Sequence, residues 1–566
     1  MSGTPEISGL VAAECRPTSL PARYPLLMLV TLFTLTLTQL PLCSGDETAT
    51  RDRRYRQLHE RRAAVLTDLS ERLSELSAWC ESHQLSEAAD STAALQEQLQ
   101  QPELLPEPSP LVQPELPEPV TDEQSWQAQL RAARKQSAGE LYTLARAALR
   151  AGFPSLAFSL IGDVVRLDPD HKFARGVLGY QLFLDPERRE EAGYAGEWIS
   201  PFEKQMRSGR SPQVRHPRFG WIPTANVTRY EQGLRPWKGD WISAEREAEF
   251  RRDFRNAWEI PSEHFLVKTN VSLEAGLELS AKLETFHSWL QQNFAAFFDT
   301  PQSLQERFEK ALKTSSSVRR SKPLEVHYYA SRDEYQKRVH GKVPPGLETN
   351  GLYWQPDRTC YFYLKPQGPD FSTLFHEATH QILDVHTAEA RRVAARMLGL
   401  KRRQQPQDWI ICERANFWLI EGIACYFESF NVDEAGNVSV GDPGYVRFDT
   451  ARQRMLDPAY HFYMPAREFF GLGRDEFQSH PQISPLYTQS SGFAHFLMHY
   501  QDGLYRDDLI KLLAGIYRPD AENPESDPDF SRLAELGWTE LDRQYREHMQ
   551  NLDDQLQQQA SRDRNQ

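Results

Sequence analysis

The segment STLFHEATHQILD, residues 372–384, contains the pattern HExxH. Four residues span just over one helical turn, so His376 and His380 project from the same face of a helix and can converge on one ion. Neutral imidazoles suit Zn²⁺, which in hydrolytic sites takes three protein ligands and keeps one position for water. Glu377 flanks the same face and can take the proton of that water. Because apolar side chains surround the pattern, we expect this helix to lie in the core of a domain.

A second apolar segment offers the third ligand that a zinc site needs. NFWLIEGIACYFESF, residues 416–430, is predicted to form a helix in which Glu421 interrupts an apolar run. A carboxylate in such surroundings is costly unless it is paired or bound to a metal, which makes Glu421 a better candidate than His386. Glu428, two turns beyond Glu421, and Asp384, one turn beyond the second histidine, are equal candidates for a hydrogen bond to a ligand histidine. A surface or helix-cap role is the alternative for both.

These two motifs carry a family resemblance. HEATH followed by WLIEG resembles the gluzincin metallopeptidases, which share HExxH and a glutamate in a later helix. The resemblance implies that His376, His380 and Glu421 bind zinc and that Glu377 is the catalytic base. More narrowly, residues 262–550 look like an uncharacterised peptidase-MA-like domain of exported bacterial proteins.

The resemblance also suggests a residue that stabilises an oxyanion. Many gluzincins use a tyrosine or a histidine for this purpose, and YTQSSGFAHFLMHY, residues 487–500, resembles the helix that follows the ligand helix in these families. We choose Tyr487 because a phenol can donate a hydrogen bond to developing negative charge. A role as a core aromatic is the alternative.

The sequence departs from the better-known relatives in three respects. The interval between the HExxH motif and Glu421 is long enough for an inserted helix at 388–399. Ile420 stands where aminopeptidase relatives often have asparagine, and the stretch G-x-M-E-N, which holds a substrate's amino terminus in those relatives, is missing from the sequence. These departures weaken an assignment as an aminopeptidase.

The segments around the motif predict an α+β domain. HFLVKTNV (264–271), LEVHYYAS (324–331) and TCYFYLK (359–365) are predicted strands, and 273–294 is a predicted amphipathic helix. We therefore expect the HExxH helix to lie beside a small mixed sheet, preceded in the chain by a mainly α-helical region. The third strand either pairs with an extended substrate backbone, as an edge strand does, or is an ordinary strand of the sheet.

Composition divides the N-terminal half. Residues 46–101 are predicted to form one or two exposed helices with a leucine stripe, and the proline- and glutamate-rich residues 102–122 an extended, solvated linker. Residues 123–200 resemble a tetratricopeptide-like helical module of about one and a half repeats. Residues 201–261 form a Trp/Arg-rich connecting region without clean periodicity, and 551–566 form a polar C-terminal tail.

The first residues predict export. Arg16 and Arg23 precede an apolar stretch from Pro25 to Leu42, so residues 1–45 are predicted to be a signal peptide or a signal anchor. Lipid modification of Cys43 is a third interpretation. The expected location is the periplasm, the extracellular space or a membrane to which this segment attaches the chain.

Length and charge narrow the classes of function. The chain has 566 residues, 40% of them hydrophobic, which suffices for several domains. The net charge of −14 and the lack of long basic runs argue against a nucleic-acid partner. Six cysteines without a CxxC pair exclude a scaffold built on disulfides.

Together these observations predict an exported, zinc-dependent metallohydrolase, with one Zn²⁺ per chain, that cleaves amide bonds in a peptide or protein substrate. The alternative is a non-catalytic binding or scaffold protein whose helical region contacts a protein partner and whose zinc site is structural or idle. A zinc hydrolase that acts on another class of substrate is the third hypothesis.

Overall fold

The computed structural model describes residues 45–99, 109–311, 322–343, 348–397, 412–433, 436–518, 533 and 535–563. Within these residues the fold is α+β, as predicted, with helices around small sheets. Positions 1–44 of the predicted signal segment lie outside the described residues. No described helix is both long enough and apolar enough to cross a bilayer.

The helices in chain order are α1 (Gly45–Ser82), α2 (Ser86–Gln98), α3 (Asp122–Arg150), α4 (Pro154–Leu167), α5 (Lys172–Val177), α6 (Pro201–Ser208), α7 (Val227–Glu231), α8 (Ala244–Arg251), α9 (Leu273–Asn293), α10 (Ala295–Phe298), α11 (Pro301–Glu309), α12 (Arg332–Val339), α13 (Phe371–Met397), α14 (Phe417–Phe427), α15 (Val446–Leu456), α16 (Ala466–Gly471), α17 (Arg474–Gln478), α18 (Ile483–His499), α19 (Arg506–Tyr517) and α20 (Trp538–Asp563). The strands are β1 (Gln181–Phe183), β2 (Glu197–Ile199), β3 (Gln213–His216), β4 (Gly220–Pro223), β5 (Leu234–Trp237), β6 (Asp240–Ser243), β7 (Trp258–Pro261), β8 (Phe265–Thr269), β9 (Leu324–Tyr329), β10 (Gly351–Trp354), β11 (Thr359–Tyr363), β12 (Asn431–Val432) and β13 (Val438–Ser439).

The largest sheet has five strands in the order β10-β11-β9-β8-β7. β8, β9 and β11 are parallel to one another, whereas the two edge strands are antiparallel to their neighbours, β7 to β8 and β10 to β11. Val267, Val326 and Cys360 lie opposite one another on successive strands and are fully buried. The Cys360 thiol donates to the Glu377 carbonyl at 3.4 Å, so this face of the sheet carries α13, the HExxH helix.

The N-terminal helices pack on this domain. The leucine stripe of α1 is buried against neighbouring helices, with Leu69 and Leu73 fully covered. Arg62 of α1 pairs with the buried Asp163 of α4 at 2.9 Å. α4 in turn contacts α9 and α19, where Asp507 accepts hydrogen bonds from the Ser155 amide and hydroxyl. The helical region and the sheet domain therefore share one hydrophobic core.

The segment that resembles a tetratricopeptide repeat forms an antiparallel helix pair. Ala148 of α3 and Ala157 of α4 are fully buried, and Gly152 in the turn has φ +83°, a conformation that favours glycine. The next helix, α5, ends at Val177 after six residues. The described part of the proline-rich segment is extended but not free in solvent, because the Val112 amide donates to the Gly196 carbonyl at 2.9 Å.

The Trp/Arg-rich region contains two hairpin–helix units. The hairpin of β3 and β4 precedes α7, and the hairpin of β5 and β6 precedes α8. Trp221-Ile222 in the first unit and Trp241-Ile242 in the second are 20 residues apart. The sequence does not reveal this repeat, because the strands and helices of each unit are too short to produce a recognisable hydrophobic periodicity. β7, from Trp258, already belongs to the five-stranded sheet, ahead of the predicted boundary at 262.

In the sheet domain the inserted helix is absent from the described residues, and the third predicted strand is an ordinary strand of the sheet. The interval after HExxH holds no separate helix at 388–399 within the described residues, since α13 continues without interruption to Met397. The reason is that no glycine or proline breaks the sequence of this helix. The strand at 359–365 is not an edge strand either, because β11 lies between β9 and β10. The edge strand is β10, which is too short for a clear sequence signal.

Candidate metal centre

The HExxH helix starts at a capped N-terminus and presents both histidines to one point. Asp370 accepts hydrogen bonds from the Thr373 amide at 3.1 Å and from its hydroxyl at 2.6 Å, which stabilises the first turn of α13. One helical turn separates His376 from His380, and their Nε2 atoms are 3.3 Å apart. The predicted convergence of the two imidazoles is therefore present in the fold.

Gly422 allows α14, the helix that carries Glu421, to approach the two histidines. A Cβ atom on Gly422 would lie 2.6 Å from the Ser490 carbonyl oxygen of α18, closer than Cβ atoms approach in proteins. The backbones of α14 and α18 thus touch at this position, as only a glycine permits. Glu421, the neighbouring residue, is thereby held in the core between α13 and α18.

The three predicted ligands form a triangle of suitable size for a metal ion. Glu421 Oε2 lies 3.7 Å from His376 Nε2 and 3.8 Å from His380 Nε2. A point equidistant from the three atoms is about 2.1 Å from each, which matches zinc–nitrogen and zinc–oxygen bond lengths. The described residues therefore contain a cluster that can hold a metal ion.

The electrostatics of Glu421 suit a cation at the same place. Its Oε2 atom is buried and has no hydrogen-bond partner. Burial raises the pKa of Glu421 to about 7, against the opposing effect of His376 and Arg474. A buried carboxylate oxygen without a donor is costly, and a bound metal ion would offset that cost.

A second cluster shares His376 but is less suited to a metal. His376, Cys425 and Glu428 also bring ligand atoms within reach of one another. However, the Arg447 guanidinium contacts both carboxylate oxygens of Glu428 at 2.8 Å. The positive charge of Arg447 thus already occupies the oxygens of this carboxylate. In addition, burial raises the pKa of the Cys425 thiol, which disfavours the thiolate form that binds metals.

The predicted base lies on α13 beneath the edge strand. Glu377 Oε2 accepts a hydrogen bond from the Tyr353 amide of β10 at 2.7 Å, whereas Oε1 is buried without a partner. Burial raises the pKa of Glu377, while His376 and the Tyr353 amide act in the opposite direction. One oxygen is thus fixed and the other is available to exchange a proton.

The structure separates the two carboxylates that were equal candidates for a histidine partner. Glu428 Oε1 lies 2.9 Å from His376 Nδ1, and this contact leaves Nε2 available to a metal ion. Burial works to raise the pKa of Glu428, but Arg447 and His376 outweigh it and lower the pKa to about 2. Asp384 accepts hydrogen bonds from the Tyr353 hydroxyl at 2.7 Å and the Gln355 amide at 3.0 Å, which tie β10 to α13.

Tyr487 lies buried in α18, the helix that packs against α14. Its ring contacts Phe477 edge-on at 5.3 Å between centroids. Burial raises the pKa of Tyr487 well above its usual value, and the negative charge of Glu421 raises it further. Both effects keep the phenol protonated and able to donate a hydrogen bond, so both interpretations of this residue stay open.

Two residues of the site were not found from the sequence. Tyr353 precedes a turn in a short strand, and Arg447 is one arginine among many, so neither carries a local signal. Of the three predicted ligands, His380 has the most exposed side chain, at 10%, whereas His376 is fully covered.

Comparisons of the chain with protein-family models, curated proteins and solved structures find no match.

Proposed function

We propose that the chain is a zinc-dependent hydrolase that cleaves peptide bonds, with a gluzincin-like arrangement of its site. The observation that carries the proposal is the unpartnered Glu421 Oε2 atom, which completes a triangle with two imidazole nitrogens. Two histidines and one carboxylate are a ligand set of catalytic zinc, which keeps a further position open for water.

Zinc bound by His376, His380 and Glu421 would lower the pKa of water and polarise a substrate carbonyl. Glu377 accepts the proton of the attacking water on its free Oε1 atom and passes it to the leaving amine. Burial raises the pKa of Glu377 above its ordinary value, which makes the carboxylate a stronger proton acceptor. The Tyr353 amide keeps the other oxygen in place.

β10 suits an extended substrate. It is an edge strand of the described sheet, and its Tyr353 amide donates to Glu377, which supports a location of its outer edge beside the base. A peptide that adds to this edge would place its backbone carbonyl beside the base, since main-chain hydrogen bonds set the register. Tyr487 donates to the oxyanion that forms at that carbonyl. A peptide substrate is favoured over other amides for this reason.

The proposal includes export, on the strength of the apolar stretch from Pro25 to Leu42.

The test is the metal content and activity of three proteins purified without added metal. Wild type and Glu377→Gln should each carry about one zinc per chain by mass spectrometry, while Glu421→Ala should carry much less, because it lacks one of three ligands. Wild type alone should cleave members of a broad peptide library. Absence of zinc from wild type, even after zinc is offered and the excess removed, would sink the proposal. Equal zinc in wild type and Glu421→Ala would remove Glu421 from the site.

A further inference from the structure

We infer that Arg447 is a positioning residue of the metal centre, which holds Glu428 in the orientation that receives a hydrogen bond from His376. The inference rests on the proposed function, since it concerns how the zinc ligands are held. Arg447 stands in the first turn of α15, a helix without any of the proposed ligands. It therefore links the site to a third helix.

Arg447 and Glu428 form a bidentate ion pair. Arg447 Nε donates to Glu428 Oε2 at 2.8 Å, and Nη2 donates to Oε1 at 2.8 Å. The Tyr445 hydroxyl adds a longer contact to Oε2 at 3.4 Å. The side chain of Glu428 is only 5% exposed and that of Arg447 is 20% exposed, so the pair is shielded from water. Paired, parallel hydrogen bonds of this kind fix the plane of a carboxylate as well as its charge.

The orientation matters because Glu428 Oε1 is shared. It accepts from Arg447 on one side and lies 2.9 Å from His376 Nδ1 on the other. Rotation of the carboxylate would break both contacts. The hydrogen bond at Nδ1 orients the ring and keeps the proton off Nε2, the atom that faces His380 and Glu421. Without Arg447, a buried carboxylate would be free to turn and His376 would lose its fixed orientation.

The experiment compares full-length proteins by zinc dissociation constant, measured by competition with a coloured chelator, and by the visible spectrum of the cobalt(II) form. The variants are Arg447→Met, Arg447→Lys, Glu428→Gln and the double variant Arg447→Met/Glu428→Gln. Arg452→Met is the matched control, since Arg452 lies on the same helix and pairs with Asp449 and Asp553, away from Glu428. Thermal unfolding of each metal-free protein reports on folding independently of the site.

We expect Arg447→Met to weaken zinc binding about ten-fold or more and to shift the cobalt bands. Arg447→Lys should recover part of the loss, because lysine keeps the charge but not the bidentate contact. In the Glu428→Gln background, Arg447→Met should have no further effect, because its role passes through Glu428. Arg452→Met should bind zinc like wild type.

Three results would overturn this inference but not the proposed function. The first is a wild-type zinc affinity and cobalt spectrum in Arg447→Met. The others are a double variant that binds zinc more weakly than Glu428→Gln by the full effect of Arg447→Met, and an Arg452→Met variant that loses as much zinc affinity as Arg447→Met. Should Arg447→Met not fold, the lysine and double variants decide by the same criteria. Failure of wild type to bind zinc would be a different outcome, because it would overturn the proposed function and the inference with it.

Discussion

Replacing Gly422 with alanine would place a methyl group where the backbones of α14 and α18 touch. The new Cβ would lie 2.6 Å from the Ser490 carbonyl oxygen and 3.1 Å from its carbonyl carbon. A backbone carbonyl cannot turn away as a flexible side chain can. To reach ordinary contact at 3.4 Å, the two helices must separate by roughly 0.8 Å.

The cost follows from this overlap. Forcing an extra methyl group into a packed core costs about 1–3 kcal/mol. Alanine also gains roughly 1 kcal/mol over glycine in a helix, which would hide part of that cost. Gly139→Ala in α3 is the matched control, because a Cβ there meets nothing within 4 Å. The helix preference cancels between the two variants, so Gly422→Ala should be less stable than Gly139→Ala by about 1–3 kcal/mol.

The assay is urea unfolding of both variants and wild type, followed by circular dichroism. Zinc affinity is a second measurement, since a shift of roughly 0.8 Å at Glu421 exceeds the tolerance of about 0.2 Å for a metal–ligand distance. Gly422→Ala should therefore bind zinc more weakly, and Gly139→Ala like wild type. If the two variants unfolded at the same urea concentration and bound zinc equally well, the close contact between α14 and α18 would be refuted.

Two further changes probe the site and the core. Tyr487→Phe should retain zinc but lower kcat about 100-fold or more, since it removes a donor to the oxyanion; unchanged kcat would assign Tyr487 to the core instead. His495 is buried in α18, where its Nε2 atom lies 3.0 Å from the Gly441 carbonyl oxygen, and His495→Gln should flatten the dependence of the free energy of unfolding on pH. Burial lowers the pKa of His495 to about 4, below the value of 6.5 expected in the unfolded chain. Between these two pH values the unfolded state binds more protons than the folded state. The free energy of unfolding therefore falls as the pH drops from 6.5 to 4. The loss by pH 4.5 is about 2–3 kcal/mol for this group, measurable by urea unfolding at pH 7 and 4.5, and equal slopes in wild type and variant would speak against it.

Much of the ligand set could be predicted from the sequence because it depends on local periodicity. The spacing of His376 and His380 places them on one face of any helix that includes both. Glu421 stands out because an acidic residue in an apolar helix needs a partner, whatever that partner is. The α+β class followed in the same way, from apolar strands that precede an amphipathic helix.

The partners of the ligands could not be predicted, because they depend on packing between distant segments. Glu428 and Asp384 had equal standing in the sequence, yet only the fold brings Glu428 Oε1 to His376, 52 residues away. Arg447 and Tyr353 carry no signal at all until α15 and β10 are placed beside the site. The long α13 was also missed, since the absence of a helix breaker is weaker information than the presence of one.

By itself, then, the sequence determined which side chains can bind a metal and which helix faces carry them. Hydrogen-bond spacing along a helix is a property of the local backbone, and the burial of an apolar face follows from its composition. The tertiary structure alone decided that Glu421 meets both imidazoles, that Arg447 braces Glu428, and that β10 is the edge strand. These contacts arise from the close approach of α14 to α18 and from strand order, which are set by the packing of the whole domain.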